Sequence, residues 1–152
     1  MRVHIGTDHA AFETKEAIVA ALRRSGHDVV DHGARSFDPE DDYPVFIIPT
    51  AEAVVADPGS LGVVLGGSGN GEAIAANKVK GARAALVHNL DTARLAREHN
   101  DANIASLGAR QHTVDEAVAL ATAFLDARFT GEARHQRRLD LLTRYEAQGS
   151  LG

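Results

Sequence analysis

Short apolar runs and longer stretches of helical period alternate along this 152-residue chain. Arg2-Val3-His4-Ile5-Gly6 is the first short run and reads as a strand ending at Thr7-Asp8-His9. From Phe12 to Ser25 the apolar positions Phe12, Ile18, Val19 and Leu22 keep the period of an amphipathic helix, which Gly26 stops. Asp28 to Asp31 is a short second strand. Residues 33–43 have no period and several breakers, so they form a loop. Pro44 suits the first position of a helix reaching about Ala56, which Asp57-Pro58-Gly59 ends. Leu61 to Leu65 is a third strand, followed by a glycine-rich turn and a helix to about Lys78. Ala82 to Val87 is a fourth strand, Leu90 to Asn100 a helix and Ile104 to Leu107 a fifth strand. Thr113-Val114-Asp115-Glu116 reads as a capping box that opens a helix to Ala127. Gly131 to about Gln148 is a last helix, and residues 149–152 are a tail.

Strands alternating with helices require right-handed crossovers and a parallel sheet covered on both faces. The expected fold is a three-layer α/β/α domain of Rossmann type with a five-stranded parallel sheet. One domain spans residues 1–148, and the strand order is not readable from the sequence.

The stretch Val63-Val64-Leu65-Gly66-Gly67-Ser68-Gly69-Asn70-Gly71-Glu72 carries the most chemical information. It reads as strand, tight turn and helix start, the place where open α/β sheets bind ligands. Glycines let backbone N–H groups approach an anion closely, and a helix N-terminus favours negative charge. Glu72 then places a carboxylate at the lip of the loop. A plain turn followed by a dipole-favoured glutamate would look the same, so this stretch alone leaves both readings open. It is not a Walker loop, because no Lys-Ser or Lys-Thr pair follows the last glycine, and Gly67-x-Gly69-x-Gly71 is one residue short of the dinucleotide fingerprint.

Composition narrows the rest. A net charge of −5 argues against nucleic-acid binding through a basic surface. The absence of cysteine removes disulfides, thiolate metal sites and a cysteine nucleophile. No apolar run approaches the ~18 residues of a membrane span, and no signal peptide precedes the first strand, so a cytoplasmic protein is expected.

Residues just after each strand are the candidates for chemistry. Asp8 and His9 follow the first strand, Glu72 and the glycine loop the third, His88 and Asn89 the fourth, and Arg110 the fifth. Asp8 could equally cap the first helix. His99 and Asn100 end a helix and so face the opposite edge of the sheet, which suggests service to a site on a second subunit. Arg134 and Arg138 share one face of the last helix, where like charges cost a few tenths of a kcal/mol unless an anion lies between them. Their guanidinium forks suit a phosphate dianion, although Glu132 and Asp140 nearby also fit an ordinary solvated face. No histidine shows metal-ligand spacing, and neither a metal nor a cofactor is expected.

Taken together, Gly6-Thr7-Asp8-His9-Ala10, Asp42-Tyr43-Pro44, Gly66 to Glu72, Ala75-Ala76-Asn77-Lys78, Ala96-Arg97-Glu98-His99-Asn100 and Arg134-His135-Gln136-Arg137-Arg138 resemble ribose-5-phosphate isomerase type B. That family also includes galactose-6-phosphate and allose-6-phosphate isomerases, and the resemblance runs from Met1 to about Tyr145. It implies an aldose-ketose isomerase that moves a proton between neighbouring carbons through a cis-enediolate, without a metal. Many members carry a cysteine where this chain has Ser68. A serine without an adjacent base is too weak to replace a thiolate, so the resemblance assigns the base to Glu72.

The resemblance also implies His99 as the acid/base that opens the sugar ring. Ser68 and the backbone amides of Gly67, Gly69, Asn70 and Gly71 would line an anion hole. Asp8 and His9 would contact the sugar, Asn100 a sugar hydroxyl or the enediolate end, and Arg110, Arg134 and Arg138 the phosphate, with His9 near it and Tyr43 closing over the sugar. A homodimer with shared active sites is implied, and further pairing of dimers is left open. Ala11-Phe12-Glu13-Thr14 and Val87-His88-Asn89 depart from the ribose enzymes. They leave the chemistry intact and the sugar open between ribose 5-phosphate and another phosphosugar (erythrulose 4-phosphate, allose 6-phosphate or galactose 6-phosphate). A phosphosugar-binding protein without catalysis is a third reading, against which Glu72 and His99 together argue.

Overall fold

The computed structural model describes residues 1–152 as a five-stranded sheet in the order β2-β1-β3-β5-β4. The strands are β1 (Arg2–Thr7), β2 (Asp28–Asp31), β3 (Leu61–Gly66), β4 (Ala84–Leu86) and β5 (Ile104–Gly108). Every pairing is parallel, with Val3 opposite Leu61 and Gly62 opposite Ile104. The helices are α1 (Phe12–Arg24), α2 (Pro44–Ala56), α3 (Asn70–Ala76), α4 (Leu90–Asn100), α5 (Val114–Asp126) and α6 (Ala133–Gln148).

Strand β3 is buried from end to end, which is why it reads as a continuous apolar run rather than an alternating one. Val63 and Leu65 join a core of 21 buried residues that includes Ile18 and Leu22 of α1, Ala93 of α4 and Phe124 of α5. Val64 faces the other way, into a smaller core of 8 buried residues with Ile47, Ala51 and Val54 of α2. Gly62 lets α2 come close on that side, since a Cβ there would lie 2.8 Å from Val54 Cγ2. Two cores of unequal size on one sheet make the three layers expected from the sequence.

Chain reversals fall where local chemistry puts them. The box at Thr113 forms, with Thr113 N–H donating to Glu116 Oε2 at 2.8 Å and Glu116 N–H to Thr113 Oγ1 at 3.2 Å. Helix α3 stops at Ala76, short of the expected Lys78. The Asn77 side chain bonds both the N–H and the carbonyl of Ala84, at 2.8 and 2.9 Å, and turns the chain toward β4. Strand β4 keeps only three residues because Asn103 takes the Arg83 N–H at 2.7 Å and donates to the Gly81 carbonyl. Helix α6 starts at Ala133 rather than Gly131, whose φ of +69° lies outside the helical region.

Neighbouring strands in this order place the switch of winding direction between β1 and β3. β1 connects outward to β2 on one side, and β3 lies on the other. The crevice beyond the carboxyl ends of these two strands is the expected ligand position in such a sheet. No helix is long and apolar enough to cross a membrane.

Candidate active site

The glycine loop leaves the end of β3 inside that crevice. Gly69 takes φ +83° and caps α3, a conformation costly for any side chain, and a Cβ there would lie 3.0 Å from the Leu107 carbonyl carbon. Its carbonyl accepts from Ser106 Oγ at 2.7 Å, which ties the loop down onto β5. The Gly66 and Gly67 carbonyls take the N–H groups of Ala109 and Arg110 at 2.8 and 3.0 Å, a second tie to the end of β5. Ser68 is exposed and accepts from Asn70 N–H at 3.2 Å.

Glu72 is turned inward from the first turn of α3 and is only 4% exposed. Its carboxylate lies flat against Gly66, where even a methyl group would overlap Oε1 and Cδ. Burial pushes the Glu72 carboxyl above the ordinary carboxylate range, and the nearby Asp8 charge adds to the push. The backbone N–H groups of Glu72 and Gly69 oppose it. No ion pair involves Glu72. A buried carboxylate without a cation, at the mouth of a backbone N–H loop, is chemically able to take and return protons.

Around this carboxylate the structure gathers several of the sequence candidates. Arg110 lies over Gly67, with Nη1 3.2 Å from where a Cβ would be, and Tyr43 lies over Gly71, with Cζ at 2.9 Å from the equivalent point. Asp8 is buried at the end of β1 and accepts from Ala10 N–H at 3.0 Å, capping a 3-10 turn at His9–Ala11. The capping role considered for Asp8 is therefore real, and it coexists with a place beside Glu72. His9 N–H and Nδ1 both meet Asp41 Oδ1, at 3.0 and 2.6 Å. The hydrogen bond to Asp41 raises the His9 pKa, with Asp8 assisting while burial and Arg110 oppose.

Asp8, His9 and Asp41 each offer a ligand atom, and the three lie within 4.8 Å of one another. Spacing in the sequence could not show this, since residue 41 comes from the loop after β2. Of the three, His9 and Asp41 are hydrogen-bonded to each other, while Asp8 accepts from Ala10 N–H.

The other candidates form a second group elsewhere. Asn100 ends α4 at the amino end of the sheet, where Asn103 O accepts from Gly62 N–H. The glycine loop sits at the carboxyl end, the length of β3 away, about 20 Å at 3.3 Å per residue. His99 stacks on His135 of α6, ring centroids 4.3 Å apart. His135 is buried, its Nε2 has no partner, and burial beside His99, Arg134 and Arg138 lowers its pKa. Arg134 and Arg138 are exposed on α6, and Arg134 Nε pairs with Glu132 at 2.9 Å.

Within one chain, then, Glu72, Asp8, His9, Tyr43, Arg110 and the loop come together, and His99, Asn100, Arg134 and Arg138 do not join them. Sequence reasoning missed three residues. Gly66 makes room for the Glu72 carboxylate, Asp41 holds His9, and His135 backs His99. Gly66 and His135 lay inside motifs already singled out, the glycine cluster and the Arg134–Arg138 run, and Asp41 had no signal.

Comparisons with known proteins give the chain's family and fold. The ribose/galactose isomerase family model matches residues 3–142. The chain is 57% identical over 146 residues to ribose-5-phosphate isomerase B of Mycolicibacterium paratuberculosis, covering 96% of this chain and 92% of that one. It is 55% identical to the enzyme of that name from Mycobacterium tuberculosis, covering 96% and 90%. Among solved structures, ribose-5-phosphate isomerase B from Mycoplasma genitalium with bound ribulose 5-phosphate superposes with a TM-score of 0.93 at 41% identity, covering 97% of both chains. The Clostridium thermocellum ribose-5-phosphate isomerase B also gives 0.93, at 40% identity, covering 99% of this chain and 100% of that one.

Proposed function

The chain belongs to the ribose/galactose isomerase family, and from that premise we propose that it interconverts ribose 5-phosphate and ribulose 5-phosphate with Glu72 as the base. Identity of 55–57% to proteins named ribose-5-phosphate isomerase B supports the substrate. The observation that carries the mechanism is the buried, unpaired Glu72 carboxylate against Gly66.

On the open-chain aldose, Glu72 removes the C2 proton while the C1 carbonyl gathers charge as an enediolate. Backbone N–H groups of the Gly67–Gly71 loop, with Ser68, line the hole for that charge. Glu72 then returns its proton to C1 as the C2 carbonyl forms, and the proton that leaves the C2 hydroxyl ends on O1, which becomes the C1 hydroxyl of the ketose. A carboxyl group whose burial raises its affinity for a proton is a stronger base than an exposed one, which is what a weakly acidic carbon requires.

Asp8 and His9 contact the sugar, Tyr43 covers it and Arg110 takes part of the phosphate. Ring opening by His99, the hydroxyl contact of Asn100 and the remaining phosphate contacts of Arg134 and Arg138 come from a partner subunit in a homodimer with shared sites. The ~20 Å between the two groups of residues within one chain supports that dimer. Residues 1–148 act as one isomerase domain. A phosphosugar carries too much charge to cross a bilayer unaided, so the enzyme works where its substrate is made, in the cytoplasm.

Initial rates on ribose 5-phosphate, erythrulose 4-phosphate and allose 6-phosphate, each with and without EDTA, test the proposal. A preference for ribose 5-phosphate unchanged by EDTA is the expected result. A preference for another of the three would move the substrate, and no turnover on any would contradict the catalytic reading.

A further inference from the structure

The loop 33–43 contributes a side chain that the proton transfer does not use. The Asp41 side chain is only 10% exposed, yet it meets no lysine or arginine. Its Oδ1 accepts from the His9 backbone N–H at 3.0 Å and from the ring Nδ1 at 2.6 Å, while its Oδ2 is buried without a partner. A carboxylate this poorly solvated needs its charge balanced by what it touches, and what it touches is the His9 ring.

Two consequences follow from that contact. With Nδ1 committed to Asp41, rotation of the ring would break the 2.6 Å bond, so Nε2 is the nitrogen left for a ligand. The carboxylate also favours the imidazolium form over the neutral ring. The charged groups around the ring are Asp41 from the loop, Asp8 from the end of β1, Glu13 from α1 lining the same cleft, and Arg110 from beyond β5. Phe37 closes the other side, its ring edge-on to His9 at 6.2 Å.

We propose that Asp41 is a positioning residue for the isomerase, holding His9 in one orientation as a cation that presents Nε2 to the phosphosugar. This rests on the reading of His9 as a substrate contact. Asp41 touches neither the reacting carbons nor the base. Its effect therefore falls on how well the anionic sugar is held, and on the pH at which that hold is lost.

The test is Asp41→Asn in the full chain, read in two ways. The first is an NMR titration of the His9 ring, with inorganic phosphate as the probe ligand. The second is the pH profile of kcat/KM on ribose 5-phosphate. In Asp41→Asn, His9 is expected to lose its proton at lower pH than in the wild type. The alkaline limb of kcat/KM moves down with it, and KM at pH 8 rises about tenfold, the lower end of what a hydrogen bond to a charged group is worth. The maximal rate stays within about threefold, and Asp41→Glu restores the limb.

A merely structural role would lower kcat/KM evenly at all pH values. That result, or an unchanged His9 titration, overturns the proposal. Should Asp41→Asn fail to fold, the wild-type spectrum still decides. A protonated ring bonded through Nδ1 at pH 7 is expected, and a neutral ring protonated on Nε2 contradicts it. If the wild type does not isomerise ribose 5-phosphate, the isomerase reading fails by itself, because the titration with phosphate needs no turnover.

Discussion

Glu72 sits where a carboxylate is uncomfortable, and that discomfort has a measurable sign. Burial raises its folded-state pKa above its unfolded value, so the folded chain binds the proton more tightly than the unfolded one. Stability therefore falls as pH rises from the unfolded value through the folded one, and the cost is full above the folded pKa. Glu72→Gln is expected to melt higher than the wild type at pH 8, with the gap closing as pH falls to about 3.3, one unit below the unfolded value, where both states are protonated. Paired melting curves at the two pH values check this, and a destabilised variant at pH 8 would contradict it. The residue could be singled out in the sequence because it directly follows a glycine turn, although the helix dipole alone favours a glutamate there; its burial was not legible. Asp41 could not be singled out, because its partner lies 32 positions away and its own loop has no period.

At the scale of elements, the crevice depends on how the loop after β2 is pinned. Lys15 of α1 is fully buried and donates to Asp31 Oδ2 and to the Ala34 carbonyl, both at 2.7 Å. Asp31 in turn accepts from Gly33 N–H at 2.9 Å, and Ala34 N–H bonds the Thr7 carbonyl just before Asp8. Cutting this chain of contacts by Lys15→Met leaves Asp31 without its cation. The expected loss is about 2–3 kcal/mol, less than for a fully buried pair because Asp31 keeps some contact with water. Urea unfolding with an unchanged m-value and a lower midpoint checks it. An unchanged midpoint would show that Lys15 contributes nothing net.

Helices were the most legible elements. α2 and α4 start and stop where Pro44, Asp57 and the Asn89 cap dictate locally. The ends of α3 and β4 were not legible, since Asn77 and Asn103 set them through side-chain bonds across the fold. The strand order was beyond reach for the same reason: β5 inserts between β3 and β4, and nothing local encodes which edge a crossover takes.

For the whole molecule, the two separated groups of candidate residues are the central structural fact. Helix α6 docks through only two buried side chains, His135 and Leu139. Beyond them Leu142 and Tyr145 stay more than half exposed, along a groove that Asn100 also lines. An exposed apolar face beside His99 fits a subunit contact. If sites are shared, mixing Glu72→Gln chains with His99→Asn chains places both lesions in one site of each mixed dimer and neither in the other. Random pairing would then restore about a quarter of the wild-type sites on ribose 5-phosphate. No recovery from chains that do form mixed dimers would mean that each site belongs to one chain. The separation also explains why the second group could be noticed from sequence but not placed: helix ends and strand ends were assignable, and the partner surface was not.

The most direct test of the central claim is the turnover of ribose 5-phosphate by Glu72→Gln, measured beside its binding of the same sugar. The expected result is a loss of about a thousandfold or more in rate, in the range of a missing general base, with phosphosugar binding preserved. Turnover close to wild type would show that another group moves the proton and would contradict the assignment of Glu72.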